Sequence, residues 1–254
     1  MDKYLFHRRA GLCNRIRGLI TLMRTGQPFS VYEQRTVLFP GKFSDFLDNK
    51  IEHHEKPEGY VVSWRLQVNK SEVPMDFAKV SPVKRFPCID LEYERIPQNI
   101  RDLFLPYFKQ LLWKKEIVED VDKVCKELGL FDHTSVHIRE DLDWATVGRS
   151  KELNRYFEEI DKHLQPKMFF IFHTQEMEDT FRKRYGDRVL TYPGKVYTNR
   201  NSSDLVGWVK DLLVLSRSKE IVADYQSSFA ETAWWIGECK AVAFRIAKSW
   251  RDKK

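Results

Sequence analysis

A doubly wound α/β fold is predicted by two features of the 254-residue sequence. Short β-rich runs alternate with segments whose apolar residues recur at helical spacing, and several of those runs are unbroken apolar stretches, as strands covered on both faces require. The second half shows this most clearly. There SVHIR (135–139), MFFIFHT (168–174), RVLTY (188–192), EIVADY (220–225) and AVAFRI (241–246) are separated by helical patterns. One such pattern, over 204–218, sets Leu205, Trp208, Val209, Leu212 and Leu215 on one face.

The first half begins in the same way. KYLFH reads as a strand, RRAGLCN as a turn, and the following helix repeats Ile16, Leu19, Ile20 and Met23 at i, i+3, i+4 and i+7 until Gly26 ends it. PFSVYE is a second strand. Pro40, Pro57, Pro74, Pro82 and Pro87 then punctuate residues 36–96, leaving YVVSWRLQV as the one clear strand in that stretch. From Ile96 to Leu130 two helical patterns are joined near 113–116, and their end is the expected boundary between an α/β domain over 1–130 and a second over 131–254.

Composition narrows the function classes. With 42% apolar and 31% charged residues the chain is globular, which excludes disordered and fibrous classes. A net charge of +6, without a block of five like charges, suits anionic ligands such as phosphates. No aromatic RNA-binding signature or basic helix is present, so nucleic acid is not expected as a partner. No run approaches the roughly 18 apolar residues of a membrane-spanning helix, and MDKYLFHRRAG has charges where a signal peptide would be apolar. Cys13, Cys88, Cys125 and Cys239 stand far apart, signalling neither a zinc site nor a disulfide framework, and a cytoplasmic location is expected.

In open α/β sheets ligands bind beyond the carboxyl ends of the strands, and three post-strand segments carry suitable chemistry. Arg8 to Arg15 is an arginine-rich, glycine-containing turn that delivers the chain into a helix N-terminus, a natural anion site, with Asn14 as an alternative plain N-cap. His137 and Arg139 share one face at the end of a strand, where a phosphate is a fitting partner for both, although Arg139 could instead pair with Asp141 or Asp143. Ser227 and Ser228 follow EIVADY, and Ser228 with Glu231 forms a capping-box pattern that leaves Ser227 a spare hydroxyl. Asp141-Leu-Asp143 and Asp120-Val-Asp122 are formally DxD patterns, and His53-His54 reads as exposed loop.

Together and in this order, the three segments resemble the GDP-fucose-dependent fucosyltransferases of GT-B fold, the group of nodulation-type α1,6-fucosyltransferases and protein O-fucosyltransferases. The resemblance rests on Gly11-Leu-Cys-Asn14-Arg15, on His137-x-Arg139 followed by Asp143-Trp144, and on Asp211-Leu-Leu-Val-Leu-Ser216 through Ser227-Ser228-Phe229. Cys13 stands at the family's second glycine and Glu140 where many members carry a second arginine. The resemblance implies two Rossmann-type domains facing across a cleft, the acceptor on the N-terminal side and the nucleotide sugar on the C-terminal side. It also implies that Arg139 and His137 hold the donor diphosphate, that Ser227 and Ser228 bind its oxygens, that Asn14 lies in the first ligand turn, and that Asp211 reads guanine.

The expected activity is a glycosyltransferase reaction in glycan biosynthesis. A sugar, fucose from GDP-fucose, passes with inversion to a hydroxyl of a glycan or glycoconjugate acceptor, without a metal or a resident cofactor. Arg139 stabilises the departing diphosphate, and Asp143 ranks first, on motif position, among Glu140, Asp141 and Asp143 as the base. The alternatives are a metal-dependent transferase that uses another nucleotide sugar, such as a UDP-sugar, through Asp141 and Asp143, and a non-enzymatic carbohydrate- or nucleic-acid-binding module.

Overall fold

The computed structural model of the chain describes residues 2–6, 11–24, 26, 28–33, 35–36, 38–54, 60–62, 96, 98–138, 149–195, 197, 204–224 and 227–246. Two compact units divide it, one of residues 1–117 with 201–206, the other of 118–200 with 207–254. The division thus falls inside a helix, ahead of the break expected at 130.

The first unit holds β1 (Asp2–Phe6), α1 (Leu12–Arg24), β2 (Phe29–Tyr32), a 3-10 turn (Phe43–Asp45), β3 (Glu52–His53), β4 (Tyr60–Val62), α2 (Gln98–Phe108) and the start of α3 (Lys115–Leu128). Its strands are parallel in the order β3-β2-β1-β4. The predicted period of α1 is the buried one, since Ile16, Leu19 and Ile20 are inaccessible, and the chain leaves the helix through Gly26 at φ 64°. Phe39, Phe43 and Phe46 meet edge to face with centroids 5.8–6.4 Å apart, and Trp113 stacks on Phe46.

The second unit continues α3 and adds β5 (Thr134–His137), α4 (Arg149–Asp161), β6 (Met168–Ile171), α5 (Gln175–Tyr185), β7 (Val189–Leu190), most of α6 (Leu205–Ser216), β8 (Glu220–Asp224), α7 (Ser228–Ile236) and β9 (Val242–Ile246). Its five strands are parallel in the order β7-β6-β5-β8-β9, so the order reverses between β5 and β8. β5 and β6 are buried at every position; β6 accordingly reads as an unbroken apolar run, while β5 buries Thr134, Ser135 and His137 beside Val136. Val136, Phe170, Phe172, Phe181, Tyr185 and Val222 form the centre of the core. Among the described residues no helix is long and apolar enough to cross a membrane.

Two positions tie the fold to a measurement. Gly237 follows α7, and a Cβ there would lie 2.2 Å from the carbonyl oxygen of Ser216, the last residue of α6. Backbone must move to admit it, so Gly237→Ala is expected to cost about 1–3 kcal/mol in urea unfolding. His133, at the mouth of β5, is 4% exposed, with Nε2 3.3 Å from the Ser218 hydroxyl. Burial drives its pKa down to about 4, against smaller opposing effects of the Leu130 carbonyl and Asp132. The unfolded chain takes up this proton near the ordinary histidine value and the folded one only near 4, so stability is lost as pH falls through that window. Between pH 7 and pH 4 the protein should lose about 2–3 kcal/mol more than His133→Gln.

Candidate functional site

The reversal of strand order between β5 and β8 is where a doubly wound sheet opens its ligand crevice, at the carboxyl ends of the strands. His137 is the last residue of β5 and is 2% exposed. Its Nδ1 lies 3.0 Å from the hydroxyl of Ser227, which follows β8. The same hydroxyl accepts the backbone N–H of Ala230 at 3.2 Å and thereby caps α7. The hydroxyl, with a second lone pair and its own proton still available, can pair with Nδ1 as donor or acceptor, the direction following the imidazole tautomer. The ring stacks on Phe229 at 5.0 Å and meets the edge of His173, just beyond β6, at 5.7 Å. The imidazole is thus held on three sides, next to the start of α7.

The structure corrects the reading of this turn by one residue. Ser227, not Ser228, is the N-cap, and Ser228 is the first helical residue, half-buried. The carboxylate of Glu231 accepts Trp235 Nε1 at 3.3 Å, while its backbone N–H bonds to the Ser227 carbonyl. The capping box of Ser228 and Glu231 is therefore not the one that forms, and the hydroxyl thought to be spare is the one in use.

Arg139 and Asp143, with Glu140 and Asp141, lie outside the described residues. Asn14 is not an N-cap. It sits in the first turn of α1, two residues past its start, and accepts Arg17 Nη2 at 2.7 Å. Asp211, 3% exposed on α6, takes Lys195 Nζ at 2.5 Å on Oδ2, a partner separated by sixteen residues and carrying no motif. Asp120 and Asp122 serve ion pairing: Lys210 and Tyr192 bond to the first, holding its pKa below the usual carboxylate range, and Arg217 lies 2.6 Å from the second. Among the described residues no group of three His, Cys, Asp or Glu could hold a metal ion.

A second polar cluster, not expected from sequence, occupies the carboxyl ends of β2 and β3 in the first unit. Arg15, inaccessible on α1, lies over the Phe39 ring at 4.3 Å, and burial lowers its pKa to about 10 against the pull of Glu33. Glu33, directly after β2, accepts the Phe43 N–H at 2.8 Å. His53 Nδ1 lies 3.0 Å from Glu33 Oε2. His53 thus ends a strand and is not loop. Glu33 could have been found by the strand-end rule, since it closes PFSVYE; a two-residue strand offers no period from which to find His53.

No protein family's sequence profile matches the chain, and no curated protein matches it in sequence. Solved structures do. Fucosyltransferase NodZ from Bradyrhizobium superposes with a TM-score of 0.59 at 13% identity, covering 92% of this chain and 91% of that one. NodZ α1,6-fucosyltransferase soaked with GDP-fucose gives 0.57 at 13% identity, covering 93% of each. POFUT1 in complex with GDP-fucose gives 0.55 at 11% identity, covering 97% of this chain and 98% of that one. At such identities the likeness is one of fold, and the fold is the GT-B fold of these fucosyltransferases, as the order of the three motifs predicted.

Proposed function

We propose that the chain is a glycosyltransferase that moves fucose from GDP-fucose to a hydroxyl of a glycan acceptor, binding the donor on its second unit and the acceptor on its first. The observation that carries this reading is the meeting of His137 with Ser227 at the reversal of strand order, over the start of α7. Those two residues come from two of the motifs through which the sequence resembles this group, and they come together at the sheet edge where such folds keep a nucleotide. NodZ and POFUT1, which share the fold, have structures with GDP-fucose.

In this reading His137 and the N-terminus of α7 hold the diphosphate, with Ser228 adding a hydroxyl. Arg139, two residues past His137, grips two phosphate oxygens through its planar fork. Charge grows on the diphosphate as the sugar bond breaks, so donors fixed in advance lower the barrier without a metal. Asp211 accepts the N–H edge of guanine, for which it must release or share the Lys195 ammonium. Uracil offers one donor between two acceptors and would be repelled.

Calorimetry should find GDP binding more tightly than UDP, with Asp211→Asn weakening GDP by about 1.5–3 kcal/mol. Equal affinities for the two nucleotides would refute the donor assignment. Arg139→Lys should reduce kcat about 10²- to 10³-fold with a smaller change in GDP affinity. Turnover should persist in EDTA; abolition by chelator and recovery with Mn²⁺ would favour a metal-dependent transferase.

A further inference from the structure

Beyond β7 the chain turns through Tyr192-Pro193-Gly194-Lys195, with the Lys195 N–H bonded to the Tyr192 carbonyl at 3.3 Å and Gly194 at φ 69°. Proline at the second position and a left-handed glycine at the third are what a type II turn requires. The turn is tied down on either side. Tyr192 donates its hydroxyl to Asp120 on α3 at 2.7 Å, and Tyr197 donates to Glu178 on α5. Lys195, between these anchors, reaches Asp211 Oδ2 on α6 at 2.5 Å, with its ammonium 5.5 Å from the centre of the Tyr197 ring. The two side chains of the pair are 15% and 4% exposed. Lys210, next to Asp211 in sequence, is directed instead to Asp120 at 2.6 Å. All of these groups belong to the second unit.

Lys195 and Asp211 together present hydrogen-bonding groups in a set order, a donor followed by acceptors. The edge of guanine presents the complement, the O6 acceptor followed by the N1–H and N2–H donors. A carboxylate has about four lone-pair positions, so Oδ2 can keep the ammonium while it accepts N1–H, and Oδ1 takes N2–H. The ammonium carries further N–H donors on a long flexible stem, and one of them is in reach of O6, the atom next to N1. Adenine would set an amino group against the ammonium and a ring-nitrogen lone pair against the carboxylate. Hypoxanthine keeps O6 and N1–H but lacks the amino group that Oδ1 would accept.

We infer that Lys195 is a specificity-determining residue for the base of the donor, donating to guanine O6 while Asp211 accepts the N1–H and N2–H groups beside it. The inference rests on the sugar-transfer reading with a GDP-linked donor. Asp211 selects for the N–H donors and Lys195 for the 6-oxo group. The ion pair between them keeps both side chains aligned before the nucleotide arrives, so less side-chain freedom is lost on binding.

The test is calorimetry on the full chain with GDP, 6-thio-GDP and IDP. The first analogue replaces O6 by sulfur, a weak acceptor, and the second lacks only the N2 amino group. The wild type should bind each analogue at least about 10-fold less tightly than GDP. Lys195→Met, similar in length, should weaken GDP about 10-fold and bind GDP and 6-thio-GDP alike, while GDP keeps its advantage over IDP. Lys195→Arg, which returns a donor cation, should restore the preference for GDP over its thio analogue. A lysine needed only to hold the loop in place would, when replaced by methionine, lower the affinity for all three nucleotides together and leave their ratios unchanged. That result overturns the inference, and so does equal binding of GDP and 6-thio-GDP by the wild type, which needs no variant to fold. A wild type that binds none of the three defeats the GDP reading and the Lys195 assignment with it. One that prefers GDP to IDP but is indifferent to sulfur at position 6 leaves that reading intact and removes Lys195 alone.

Discussion

The parallel pairing of β5 with β8 is the constraint on which the second unit depends. Thr134 to His137 run in register with Glu220 to Ala223, and from this pair the sheet extends one way through β6 and β7 and the other through β9. The pair is buried over most of its length and its polar side chains are paired, Thr134 donating to Glu220 and Ser135 accepting from Ser218, so the one large buried polar side chain of β5 stands where that strand runs out. That residue is His137. Buried there, it needs a hydrogen-bonding partner, and the chain emerging from β8 supplies Ser227. One hydroxyl then serves the helix end and the imidazole together, so the start of α7 and the end of β5 are fixed to each other.

The first unit meets a different energetic problem. Arg15 and Glu33 are both displaced from their ordinary pKa values in the direction that desolvation dictates, so burial costs each more than its neighbours return. An apolar pair of similar volume would give an equally or more stable core, as is common for buried ions. Phe39, packed under the guanidinium, recovers part of the cost through its π face.

What could be read from sequence was what depends on local period. The β-rich runs became β5, β6, β8 and β9, although MFFIFHT forms a strand only over Met168–Ile171, because chain pairing and not hydropathy ends a strand. The helix of 12–24 was legible from its spacing and from Gly26. The cap of α7 was misread because Ser-x-x-Glu also occurs one residue on, and only tertiary contact with Trp235 shows that Glu231 is occupied elsewhere. The decisive site contacts are long-range: His137 and Ser227 are ninety residues apart, and Glu33 meets His53 only because β3 pairs with β2. A motif could put His137 and Ser227 on one list, whereas nothing local could join Glu33 to His53 or Lys195 to Asp211.

The placement of the thiols has a use of its own. Cys13 is buried on α1 in the first unit and Cys125 on α3 in the second, where burial raises its pKa and keeps it in the unreactive form. Cys239 is more accessible, and Cys88 lies outside the described residues. Each unit therefore carries an internal chemical clock: a thiol that reacts with an alkylating reagent only when the structure around it opens. The two rates, read separately by mass spectrometry, would report whether the halves breathe as one body or independently, without any label or engineered probe.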